Sequence, residues 1–72
     1  MQKMLFTIET GNLFEVLQNG GGPYGRSYIV EIWNNKKNKW NRTPIEFVVQ
    51  SEKRIESEVI SIAKEKVKEI FV

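Results

Sequence analysis

The sequence predicts an α+β domain in which three or four antiparallel strands are followed by one carboxyl-terminal amphipathic helix, packed on one face of the sheet. Apolar and polar residues alternate in several runs within residues 1–50, which is the period of half-buried strands. In residues 51–72 apolar residues instead recur at steps of three and four, the period of a helix. The 72 residues are therefore interpreted as a single small domain, residues 1–72, with a β-rich region and a terminal helix.

Residues 3–18 contain the first strand signal. Apolar side chains alternate with others from Met4 to Ile8, and a second apolar run covers residues 13–17. Between them, Thr, Gly and Asn at residues 10–12 are typical of a turn. A strand pair is favoured, and a single bent strand is the alternative.

Residues 19–25 read NGGGPYG, and this composition predicts a flexible loop between two strands. Gly20, Gly22 and Gly25 also have the spacing G-x-G-x-x-G. A dinucleotide-binding loop of that form needs a helix directly after it, because the phosphate binds at the helix amino terminus. Since a strand is predicted to follow, the segment is interpreted as a linker.

Two further strands are predicted at residues 27–33 and 45–49, with a turn at residues 34–39. The asparagines in that turn tolerate its backbone geometry. Thr43-Pro44-Ile45-Glu46 also matches a capping box with Pro at the first helical position, so a helix beginning at Pro44 is the alternative. The β-branched and aromatic residues of 45–49 favour the strand.

Placing Trp33 opposite Trp40 fixes a register for the hairpin. The further pairs in this register are Glu31 with Arg42 and Ile29 with Pro44. One face of the hairpin is then apolar throughout, and it consists of Tyr28, Val30, Ile32, Ile45, Phe47 and Val49. This face is predicted to pack against the helix, while the two tryptophans lie on the other face.

The predicted helix spans residues 51–72, and Ser51 can cap its start. Its apolar face consists of Ile55, Val59, Ile62, Ala63, Val67 and Ile70, widened by Ile60 and Phe71. Lysine, arginine, glutamate and serine fill the remaining positions, so the helix needs an apolar surface on which to pack.

The composition excludes most kinds of catalytic site. The chain has no His and no Cys, so it cannot build a Ser-His-Asp triad, a thiolate nucleophile or the usual Cys/His zinc sites. Every acidic residue is Glu, so calcium loops based on Asp are also excluded. We therefore expect no enzymatic activity, no catalytic residues, no cofactor and no metal.

A chain of about 60 residues buries only about 60% of its unfolded surface, so small domains often need further stabilisation. Without disulfides or thiolate metal sites, association with another copy is the expected source. The candidate dimer interface consists of Ile29, Trp33, Trp40, Ile70, Phe71 and Val72.

The first nine residues, MQKMLFTIE, resemble neither a signal peptide nor a membrane span, so a cytoplasmic protein without membrane contact is expected.

A second candidate site lies in the hairpin at residues 33–42. Its members are Trp33, Lys36, Lys37, Lys39, Trp40 and Arg42. Cations can neutralise phosphates and aromatic rings can stack on bases, so the set is a candidate contact for single-stranded nucleic acid. A structural role is favoured, because cross-strand Trp pairs stabilise hairpins and lysine-rich turns keep strands soluble.

In length, basic character and element order, the chain resembles the YopT family of small uncharacterised Bacillus prophage proteins. The matching elements are residues 28–33, 45–49 and 51–71. The resemblance implies a homodimer whose subunits have three strands and one helix, and it implies no activity and no site residues. The favoured function is a non-enzymatic homodimeric accessory protein that binds another protein, and the alternative is nucleic-acid binding by hairpin 33–42.

Overall fold

The computed structural model describes residues 4–23, 25–50 and 56–71. The strands are β1 (Met4–Thr7), β2 (Leu13–Gly22), β3 (Gly25–Asn34) and β4 (Lys39–Val49), and helix α1 spans Glu56–Phe71. The four strands form one antiparallel sheet in the order β1-β2-β3-β4, and the helix packs on one face of it. The predicted α+β class is confirmed, with four strands.

The predicted strand pair in residues 3–18 is confirmed by β1 and the start of β2. Gly11 closes the turn between them, with a φ of 89° that suits glycine. The Gly11 amide donates a 2.9 Å hydrogen bond to the carbonyl oxygen of Ile8, and the Ile8 amide donates a 3.3 Å bond to that of Asn12.

The prediction of a loop over residues 19–25 is wrong for most of the segment. Strand β2 continues to Gly22, strand β3 begins at Gly25, and these two residues lie opposite each other. The register shifts between Gln18 and Gly21, where Gly20 has a φ of 97°. Because ladder hydrogen bonds use only backbone groups, glycines can extend the hairpin beyond the last side chains that pack.

Gly25 is expected to be the least replaceable of these glycines. A Cβ atom at Gly25 would lie 2.7 Å from the carbonyl oxygen of Val49, which is backbone and cannot move aside. We expect Gly25→Ala to lower the free energy of unfolding by about 1–3 kcal/mol, the usual loss from overpacking. Gly22→Ala is the matched control, since a Cβ there meets nothing within 4 Å. Urea unfolding of both variants tests this, and equal losses would contradict it.

The register of the β3–β4 hairpin is confirmed near the turn and wrong further along. Trp33 lies opposite Trp40 and Glu31 opposite Arg42, as predicted, but Ile29 lies opposite Glu46. The predicted partner Pro44 is displaced because the register shifts between Ile29 and Glu31. Strand β4 therefore contains a bulge, which the side-chain alternation does not reveal.

Thr43 stabilises this bulge. Its hydroxyl donates a 2.8 Å hydrogen bond to the carbonyl oxygen of Val30 and accepts a 3.2 Å bond from the amide of Ile45. Pro44 lies between, where its missing N–H removes nothing from the ladder. Strand β4 then continues to Val49, so the alternative of a helix from Pro44 is wrong.

The core lies between helix α1 and the sheet face that the sequence predicts for it. The buried apolar residues are Met4, Phe6, Ile8, Phe14, Val16, Tyr28, Val30, Ile45, Phe47, Val49, Val59, Ala63 and Val67. Ile32, Ile60, Ile62 and Phe71 are partly buried against them. Because the bulge moves the β3–β4 register by two positions, the side chains after it keep their predicted face.

Helix α1 has the predicted phase with one exception. Val59, Ala63 and Val67 recur at steps of four and are buried. Phe71 continues that row, whereas Ile70 is 53% exposed, so its predicted place on the packed face is wrong. The predicted cap at Ser51 and the apolar position of Ile55 lie outside the described residues.

Candidate functional site

The candidate site is the sheet face opposite helix α1, which we call the open face. Successive side chains of a strand point to opposite faces, so its members are the residues that alternate with the core. They are Leu5, Thr7, Leu13, Glu15, Leu17, Ile29, Glu31, Trp33, Trp40, Arg42, Glu46 and Val48. Apolar residues outnumber charged ones on this face.

Large apolar side chains on the open face are accessible to solvent. Leu5 is 49% exposed and Val48 is 67% exposed, while Leu17 and Ile29 lie opposite each other and are half-buried. A sheet face on which several large apolar side chains remain accessible is a candidate binding surface.

The two tryptophans form one end of this surface. Trp33 and Trp40 pack edge to face with ring centroids 5.2 Å apart, and both are half-buried. The Trp33 indole N–H donates a 2.8 Å hydrogen bond to the side-chain oxygen of Asn35. The pair therefore stiffens the hairpin and also presents aromatic surface on the open face.

Glu15 is an acidic side chain enclosed within this apolar surface. Only 3% of Glu15 is exposed, and its Oε2 atom has no hydrogen-bond partner within the part of the chain that the structure describes. Its neighbours in the sheet are Leu5 on one side and Glu31 on the other. A buried carboxylate without a donor is costly, and a like charge directly across the strands adds repulsion.

The alternation of residues along β2 predicts the sheet face on which Glu15 lies, but it does not predict that Glu15 is buried there. Leu13, Glu15 and Leu17 share one face of β2, so the only available signal is a glutamate between two leucines on a central strand. A glutamate on the face away from the helix is ordinarily solvated, so the burial of Glu15 could not be predicted from the sequence.

Arg42 does not neutralise these acids in the described structure. It lies opposite Glu31 across β3 and β4, but its guanidinium bonds the Oε2 atom of Glu46 at 3.1 Å. Both side chains of that pair are more than half exposed, so the pair adds little stability.

The turn of the hairpin has a clear structural explanation. The amides of Lys36 and Lys37 donate to the side-chain oxygen of Asn34 at 3.0 and 3.2 Å, and Asn38 adopts a φ of 51°. Lys36, Lys37 and Lys39 are exposed around this turn. The structure thus brings the lysines of the nucleic-acid candidate set together beside the Trp pair, whereas Arg42 lies along the strand with Glu46.

The candidate dimer residues divide between two sides of the sheet. Ile29, Trp33 and Trp40 lie on the open face. Phe71 instead lies on the helix side, where its ring contacts Phe14 with centroids 5.4 Å apart. Ile70, the neighbouring residue of α1, is exposed, and Val72 lies outside the described residues. One flat interface cannot include both groups.

Titration with nucleic acid separates the two roles of the hairpin. We expect mixed-sequence single-stranded DNA at low salt to leave Trp33 and Trp40 fluorescence unchanged, because the Trp rings already pack on each other. Neutralising Lys36, Lys37 and Lys39 together is the matched variant. Salt-sensitive quenching at micromolar concentration, lost in that variant, would contradict the structural role.

Within residues 4–23, 25–50 and 56–71, no three acidic residues gather into a metal-binding group. No helix in these ranges is long and apolar enough to cross a membrane. Comparison of the chain with family models, with curated proteins and with solved structures found no match.

Proposed function

We propose that this chain is a cytoplasmic, non-enzymatic accessory protein of the prophage type, which forms a homodimer and acts by binding protein through its open face. The observation that carries the proposal is the apolar surface on the side of the sheet away from α1. Leu5 and Val48 are exposed there, and the half-buried Trp pair lies on the same face.

The composition of the open face supports protein binding. Aromatic residues and arginine are enriched in the centres of protein interfaces, and tryptophan is frequent among the residues that dominate affinity. Trp33, Trp40 and Arg42 are all on this face. The outer surface of helix α1 is different, since its exposed positions are mostly lysine and glutamate.

Affinity capture with matched variants tests the proposal. The intact protein, Ile29→Lys on the open face and Lys64→Ala on the exposed side of α1 serve as baits in lysate of the producing cells. We expect a protein that survives nuclease treatment to be captured by the intact protein and by Lys64→Ala, but not by Ile29→Lys. Equal capture by all three baits would contradict binding through the open face.

Nucleic-acid binding by hairpin 33–42 is the second candidate function. The observation in its favour is that Lys36, Lys37 and Lys39 are exposed around the Trp33–Trp40 pair. Three lysines make a small footprint for phosphate binding, which strengthens with each phosphate neutralised. The fluorescence titration described above distinguishes this function, and nuclease-sensitive capture would also favour it.

A further inference from the structure

Strand β4 forms one edge of the sheet, and within the described residues no strand pairs with its outer side. We infer that the part of β4 after the bulge, residues 45–49, binds an extended segment of another protein as a fifth strand. The segment carries apolar side chains and one basic side chain, which lies opposite Glu46. This site goes beyond the open face, because its contacts run along the edge and onto the helix side of the sheet.

The two halves of β4 differ in how well the edge is protected. The first half carries Lys39 and Arg42 and ends in the bulge that contains Pro44. Charged side chains, prolines and bulges on an edge strand all prevent a further strand from pairing with it. Residues 45–49 read IEFVV, and every second one is buried in the core. This half is therefore extended, firmly held and unprotected.

Exposed apolar side chains border this half of the edge on both faces of the sheet. Val48 is 67% exposed on the open face, and Ile70 of α1 is 53% exposed on the helix side. The other large apolar residue that is exposed in the described structure, Leu5, lies on β1 at the opposite edge. An added strand projects alternate side chains to the two faces, so it can cover both Val48 and Ile70.

A groove on the helix side continues the site from β4 to α1. Its lining residues are Pro44, Ile45, Glu46, Lys66, Glu69 and Ile70. The charges of Lys66 and Glu69 offset each other, so the groove favours an uncharged side chain next to Ile70. Glu46 is more than half exposed and is held only by Arg42, so a basic residue opposite it is favoured.

These positions define the order of side chains in the bound segment. Antiparallel pairing is slightly more stable than parallel pairing, so the segment runs opposite to β4. Its residues then lie opposite residues 49 to 45 in turn, and they are apolar, apolar, apolar, basic and apolar. The second apolar residue lies beside Val48, and the last one lies nearest the groove.

The shape of the edge disfavours a second copy of this chain as the occupant. Two copies of β4 that pair about a two-fold axis at Phe47 place Glu46 opposite Val48 of the other copy, which leaves the apolar side chain beside a charge. A shift of the axis toward the start of β4 brings Pro44 into the ladder, and a shift toward its end shortens the pairing. A strand of different sequence has neither restriction.

Binding of a labelled peptide to the full chain tests the inference by fluorescence anisotropy. The peptide is SSVVIKVSS, whose central five residues have the required order. We expect a dissociation constant on the order of tens of micromolar, because one short strand buries little surface. The same peptide with its five central amides N-methylated keeps the side chains but loses the backbone donors, and it should not bind.

Matched variants locate the peptide on the protein. Val48→Lys and Ile70→Lys should each weaken binding by about tenfold, since each removes the burial of one apolar side chain. Leu5→Lys is the control, because Leu5 is similarly exposed but lies at the other edge, and it should bind as the unmodified protein does. Circular dichroism should show all three variants folded, because the replaced side chains are exposed.

Hydrogen exchange distinguishes strand addition from binding by side chains alone. Successive amides of a strand point to opposite edges, so the peptide should slow exchange at alternate amides within residues 46–49. Slower exchange confined to other strands would overturn the inference.

Three further results would also overturn the inference. The first is no binding at millimolar peptide, and the second is equal binding of the N-methylated peptide. The third is a dimer in sedimentation equilibrium that Ile70→Lys weakens and Leu5→Lys does not, because a second copy would then occupy the edge. Protein binding through the open face is judged separately, by the Ile29→Lys capture experiment.

Discussion

Replacing Phe14 with alanine is expected to unfold most of the protein at room temperature. Phe14 is fully buried, and its ring contacts those of Phe6 and Phe71 with centroids 5.4 Å away in each case. Phe→Ala in a core typically costs about 3–5 kcal/mol, because the cavity that it leaves collapses only partly. A core in a chain of this length rarely supplies more than about 3–5 kcal/mol, so the loss consumes most of the stability.

Leu5→Ala is the matched control for Phe14→Ala. Leu5 lies on the neighbouring strand but on the open face, and it is 49% exposed. We expect its replacement to change the free energy of unfolding of the monomer by less than about 1 kcal/mol. Far-ultraviolet circular dichroism during urea unfolding measures both variants. If Leu5→Ala lowered the free energy of unfolding as much as Phe14→Ala does, the core would have to lie on the other face of the sheet.

Thr43→Val is expected to lower the free energy of unfolding by about 2–4 kcal/mol, although the two side chains have nearly the same shape. The hydroxyl of Thr43 is buried and serves both as donor to the Val30 carbonyl and as acceptor from the Ile45 amide. Valine removes both bonds, and each backbone group that loses its partner costs about 1–3 kcal/mol when buried.

Two variants make the Thr43 result specific. Thr43→Ser keeps the hydroxyl and loses one methyl group, so it should recover most of the lost stability. Thr7→Val changes an exposed threonine on strand β1 and should be nearly silent. Thermal unfolding of the three proteins is the measurement. If Thr43→Val and Thr7→Val behave alike, the bulge does not depend on this hydroxyl.

Side-chain alternation was sufficient to predict which face of each strand is buried. Tyr28, Val30, Phe47 and Val49 lie on the core face as predicted, because a bulge that adds an even number of residues preserves alternation. Because the alternation is preserved, the sequence pattern does not reveal the bulge. Its position depends on hydrogen bonds of Thr43, and the Thr-Pro pair there also fits the start of a helix.

Other features depended on tertiary contacts that the local sequence does not specify. The glycines at 20–22 have the composition of a loop, yet backbone pairing extends the hairpin through them. Ile70 has the period of a packed residue, but the row that continues from Val67 leads to Phe71. The candidate site was predicted in part, since the Trp pair was placed correctly and the enclosure of Glu15 was not.

The most direct test of homodimer formation through the open face, which the proposed function includes, is a series of amide ¹H–¹⁵N spectra recorded over increasing protein concentration. We expect the resonances of Leu17, Ile29, Glu31 and Trp40 to move together with concentration, while those of Lys64 and Glu65 on the outer side of α1 stay fixed. Concentration-dependent shifts confined to α1 or to the turn at residues 35–38, with none on the open face, would contradict binding there.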